Sequence, residues 1–148
     1  MKQDYLNIAL LEAKKSAQAG EIPVGAVLVS ATGEIIAKSG NQCEATHDPT
    51  AHAEVLVIRE AAKKLGSVRL NECDLYVTLE PCAMCAAAIS FARIKRLYFG
   101  AYDPKGGGVD HGGQFFNQPT CHHAPEVYGG MDEKNCGDLL KEFFIQRR

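Results

Sequence analysis

The chain has 148 residues, 46% of them hydrophobic and 23% charged, with a formal net charge of −2. That length suits one domain, 1–148, with a single core, and the charge excludes a global basic field, so a nucleic acid would have to be met by a local patch. The start is polar and no stretch nears ~18 uninterrupted apolar residues, so neither a signal peptide nor a membrane span is expected and the default location is cytoplasmic.

Leu6, Ala9, Leu10, Ala13 and Ala17 recur at helical spacing and Gly20 stops them, which predicts an amphipathic first helix. Val24 to Val29 is almost continuously apolar, as in a strand buried on both faces. Ala31-Thr32-Gly33 marks a turn, and Ile35 to Ser39 reads as the returning strand. Gly40 to Ala51 is polar and reads as a loop, with Asp48-Pro49 as the start of a second helix. Val55, Leu56, Ile58, Ala61, Ala62 and Leu65 mark that helix, and Gly66 ends it. Leu75 to Leu79 is a short strand. Pro81 then opens an alanine-rich helix that is apolar all round and so belongs in the centre or in an interface.

Leu97 to Phe99 is a further strand and Glu126 to Tyr128 a last one. Gly100 to Pro125 carries the run Gly106-Gly107-Gly108 with no clear element; a loop of that length is usually functional or hides a short helix. Asp132 to Arg148 reads as a closing helix, with Leu139, Leu140, Phe143 and Phe144 at helical spacing. Strands alternating with helices argue a three-layer α/β/α fold.

Two short stretches carry chemistry. His52-Ala53-Glu54 places an imidazole and a carboxylate together, and Pro81-Cys82-Ala83-Met84-Cys85 adds two thiols three residues apart. Six cysteines in a cytosolic chain of this size favour metal or catalysis over disulfides. One His and two Cys leave the fourth position of a zinc ion open, the pattern of a catalytic site. A carboxylate beside that position is a general base for a bound water. Cys-x-x-Cys alone would equally suit a redox dithiol or half of a zinc ribbon, but there is no second Cys-x-x-Cys, and the upstream His-x-Glu favours zinc. His122-His123 is a further metal candidate, although adjacent side chains diverge. Arg93, Lys95 and Arg96, with Lys63, Lys64, Arg69 and Arg147-Arg148, are surface charges or phosphate contacts.

These motifs resemble the zinc-dependent cytidine/deoxycytidylate deaminase superfamily, and within it the bacterial tRNA adenosine deaminases. Ile22 to Val27, His47 to Glu54 and Leu75 to Cys85 carry the likeness, together with Arg93-Ile94, Phe99-Gly100-Ala101 and Phe143-Phe144. The resemblance implies a five-stranded mixed sheet between helices and a homodimer. It implies that His52, Cys82 and Cys85 hold one zinc ion (Zn2+) and that Glu54 shuttles a proton. Asn41 would contact the purine, and Asp103 would lie in the loop beside the nucleotide. The implied reaction is hydrolytic deamination of adenosine to inosine at the wobble position of a tRNA anticodon stem-loop, an unstacked base that is cheap to extrude. A deaminase of free guanine or cytosine in the same superfamily shares every zinc residue. Ala53, Glu80 and the basic C-terminal helix favour the tRNA enzyme. A zinc-stabilised RNA-binding module without catalysis is the reading from another class, and Glu54 argues against it, since a structural site needs no base.

Overall fold

Gly25–Val29 forms β1, and all five residues are buried. Ala26 and Leu28 enter one core, Val27 and Val29 the other, so the strand has no side on which a polar residue would be solvated. The computed structural model describes residues 4–147 and places β1 second in a five-stranded sheet. β2 (Ile35–Gly40) and β3 (Asp74–Leu79) flank it, both antiparallel. β4 (Arg96–Ala101) and β5 (Glu126–Tyr128) follow β3 in parallel, giving the order β2-β1-β3-β4-β5.

α1 (Tyr5–Gln18) packs on β1, β2 and β3 through Leu6, Ala9, Leu10 and Ala13. α5 (Glu133–Gln146) shares that side and packs against β4, β3 and α1. On the opposite face, α3 (Ala53–Leu65) and α4 (Ala83–Ala92) bury Ala53, Val57, Ala61, Ala86 and Ile89 in the larger core with Leu28, Leu75, Val77 and Phe99. The expected three-layer α/β/α fold and mixed sheet are present. Among the described residues no helix is long and apolar enough to cross a membrane.

The element limits differ from expectation in ways that matter for the site. A four-residue helix, α2 (Cys43–Thr46), interrupts the stretch expected to be loop. The buried Glu21 carboxylate caps it, accepting from Glu44 N at 3.0 Å and Ala45 N at 2.8 Å. Asp48 does not cap α3. Its Oδ1 accepts from Thr50 N (2.8 Å) and Thr50 Oγ1 (2.7 Å), which turns the chain early and leaves His52 as the N-cap. Pro81 likewise precedes α4 by two residues, and Cys82 is the N-cap. The glycine-rich stretch holds one 3-10 turn, Phe115–Asn117, whose Phe115 packs with Phe116 on the larger core. In α5 the expected apolar stripe is only half used: Leu139 and Leu140 join the cores, while Phe144 is exposed.

Candidate metal centre and active site

Two helix starts meet at the site. His52 and Cys82 both have extended backbone, with ψ of 149° and 176°, and each directly precedes its helix. In a regular helix residues i and i+2 point ~200° apart. His52 escapes that limit because it lies outside the helix, so its ring and the Glu54 side chain of the first turn reach one centre. Cys85, inside the first turn of α4, is buried beneath them. The positive end of α4 favours thiolate at Cys82, its N-cap.

His52 Nδ1 stands 3.7 Å from Cys82 Sγ and 3.5 Å from Cys85 Sγ, and the three ligand atoms lie within 4.8 Å of one another. A tetrahedral zinc with its usual bond lengths separates a nitrogen and a sulfur ligand by about 3.6 Å, so the donor set fits that ion in both chemistry and spacing. A hydrogen bond with the Cys85 thiol, together with His52, brings the Cys82 pKa down to about 4. That hydrogen bond and burial push the Cys85 thiol well above the usual range. The hydrogen bond to Cys82 raises the His52 imidazole. One thiolate is therefore already present to receive a cation, and the second thiol would lose its proton on binding.

Glu54 is only 4% exposed, and burial pushes its carboxyl up to about 7. A carboxyl poised there exchanges protons readily near neutral pH. It lines a cavity of about 620 Å³ together with His52, Cys82, Asn41 and Asp103. Every site residue expected from the sequence is thus at this cavity, with Cys85 behind it. Asn41 Oδ1 accepts from Ala53 N at 2.8 Å, at the start of α3. A backbone N–H needs an acceptor, which fixes the amide orientation and leaves its Nδ2 as a donor at the cavity. Asp103 Oδ1 is turned into its own loop, where it accepts from Gly106 N (2.9 Å) and Lys105 N (3.2 Å).

The basic residues divide. Lys105 and Lys141 line the cavity, and Arg147 lines an adjoining one with Phe143 and Phe144. Lys64, Lys95 and Arg96 instead pair with Glu60, Glu72 and Asp74 away from it. Arg148 lies outside the described residues. His123 Nε2 bonds the Ile94 carbonyl at 2.8 Å and, among the described residues, belongs to no cluster of metal-ligating groups. Glu80 also lines the cavity and Glu21 the adjoining one, and no motif announced either role: each acts on backbone N–H groups more than 20 residues away.

A His/Cys/Cys cradle beside a buried carboxylate, in a cavity sized for a nucleoside, on an α/β/α sheet, defines a zinc-dependent hydrolytic deaminase. The family model of the cytidine and deoxycytidylate deaminase zinc-binding region matches residues 1–101. The tRNA-specific adenosine deaminase of Agrobacterium fabrum is 56% identical over 144 residues, which is 97% of this chain and 94% of that one. Its counterpart in Bacillus subtilis is 47% identical over 150 residues, 100% and 92% of the two chains. A solved structure from a study of A-to-I editing by tRNA:A34 deaminases at the wobble position superposes with a TM-score of 0.90 at 57% identity, covering 92% of this chain and 98% of that one. The chain belongs to the cytidine and deoxycytidylate deaminase family, in the branch that holds the tRNA-specific adenosine deaminases.

Proposed function

We propose that this enzyme deaminates adenosine to inosine at the wobble position of a tRNA anticodon loop. The observation that carries the chemistry is the buried Glu54 carboxyl beside the His52, Cys82 and Cys85 donor set in one nucleoside-sized cavity. The likeness to tRNA-specific relatives along nearly the whole chain supports the choice of RNA over a free base.

In this reading His52, Cys82 and Cys85 hold one zinc ion. Bound zinc supplies an acidified water, its pKa brought from about 15.7 towards ~7. Glu54 would take a proton from the attacking water and deliver it to adenine N1 as the water oxygen adds to C6. It would then carry the proton of the new C6 hydroxyl to the exocyclic nitrogen, which leaves as ammonia as C6 becomes the inosine carbonyl. Asn41 Nδ2 donates to the purine and holds C6 over the reacting water. The Asp103 loop and α5 close the sides of the cavity, with Lys105 and Lys141 placed for phosphate.

The enzyme acts as a homodimer in this proposal. Phe91 of α4 is 75% exposed, and it continues a helix face formed by Ala83 and Ala87, so a second copy would cover an apolar strip. All six cysteines are free thiols, which suits a reducing cytoplasm, and the single sheet supports one deaminase domain spanning 1–148.

The test is a substrate panel: an anticodon stem-loop, free adenosine, guanine and cytosine, with ammonia release measured for each. Release from the stem-loop far above the free compounds is expected. Activity confined to guanine or cytosine would replace this reading with that of a free-base deaminase.

A further inference from the structure

The cavity wall from Tyr102 to Gly106 belongs to a loop with little secondary structure of its own, yet it is tied down from below. Glu80 stands one residue past β3, and its side chain is fully enclosed. Its two oxygens take five donors. Oε1 accepts from Asp103 N at 3.0 Å and His111 Nδ1 at 2.8 Å. Oε2 accepts from Val109 N at 3.2 Å, Asp110 N at 2.9 Å and His111 N at 3.1 Å. A carboxylate offers about four lone-pair directions, so the group is saturated. Both ends of the 103–111 loop meet at this one point.

The glycine run explains itself against the same group. A Cβ at Gly107 would overlap the Glu80 carboxylate and fall 2.6 Å from the Asp103 carbonyl oxygen. A Cβ at Gly108 would fall 2.6 Å from Ala83 N, at the first residue of α4, and Gly108 N donates to the Pro81 carbonyl at 2.8 Å. The loop therefore closes onto Glu80 and onto the segment that carries Cys82 only because those positions lack side chains.

We propose that Glu80 is a positioning residue for RNA binding: its carboxylate knots the two ends of the 103–111 loop together and holds Tyr102, Asp103 and Lys105 as a fixed wall of the substrate cavity. The ligand's identity rests on the tRNA reading above; the knot itself does not. Both Glu80 oxygens are taken up by the loop and neither bonds Glu54, so loosening Glu80 acts on substrate binding before chemistry.

The variants are Glu80→Gln and His111→Ala, in the full zinc-loaded chain. Glutamine keeps the shape but turns a donor towards N–H groups that need an acceptor. His111→Ala removes a single one of the five donors. Limited trypsin digestion reads the loop through the bond after Lys105, which is expected to be cut first in both variants and to resist in the wild type. On an anticodon stem-loop, KM should rise by about tenfold in Glu80→Gln and about threefold in His111→Ala, with kcat within about threefold and zinc at one per chain. Wild-type digestion and KM in both variants would overturn the proposal. So would a loss of zinc and kcat without a change in KM, the mark of a merely structural role. If Glu80→Gln does not fold, His111→Ala decides on the same readouts. A wild-type enzyme inactive on the stem-loop would defeat the tRNA reading, while cleavage after Lys105 would still decide whether Glu80 holds the loop.

Discussion

The catalytic role proposed for Glu54 rests on its surroundings more than on its identity. A glutamate in the first turn of a helix is ordinarily an ionised surface acid favoured by the helix dipole. Here burial outweighs that field and brings the carboxyl to about 7, where it can both accept and return a proton. Glu54→Gln should therefore keep one zinc per chain and lower kcat by about 10²–10⁴-fold, checked by metal analysis alongside inosine formation. Cys85→Ala should do the reverse at the first step and lower the zinc content itself. A full zinc complement in that variant would show that the cradle lies elsewhere. His52, Glu54, Cys82 and Cys85 were legible in the sequence because each is a chemically unusual residue at a short, fixed spacing. Glu80 counted in the resemblance, but its anchoring role was not legible, because a lone acid before a proline gives no sign of five donors, four of which come from 29 to 31 residues away.

At the level of elements, periodicity located the helices, and side-chain to backbone bonds moved their ends. The Asp48–Thr50 turn delays α3 until Ala53, and that delay frees His52 to share a centre with Glu54. α2 was invisible to periodicity because it is one turn long and owes its place to the Glu21 cap. The Phe143-Phe144 pair reads as core by spacing, yet Phe144 stays exposed and lines the cavity instead. α4 packs closely through its small residues, and the homodimer proposed above would use its outer strip. Phe91→Lys removes the most exposed large side chain of that strip, so it should cost little stability and shift the protein from dimer to monomer in sedimentation. An unchanged dimer would place the interface on another face.

Across the whole molecule, the sheet brings together parts far apart in sequence. β1 sits between two cores, β3 delivers Glu80 and the cysteine segment, and β4 delivers Tyr102 and Asp103 on the far side of the same cavity. The three-layer arrangement follows from the alternation of strands and helices, whereas the mixed strand order was implied only by the family resemblance. The cavity does not follow from them, because its wall is a glycine loop whose path is set by contacts and not by periodicity. In the proposed function, substrate choice lives in that wall and in α5. Position-resolved detection of inosine in an anticodon stem-loop treated with the zinc-loaded enzyme tests the proposed function at its reacting atom. Inosine is expected at the wobble adenosine alone, formed by the wild type and lost in Glu54→Gln at full zinc. Equal inosine formation by Glu54→Gln, or no inosine in the loop beside rapid turnover of a free base, would contradict the roles proposed for Glu54 and for the tRNA.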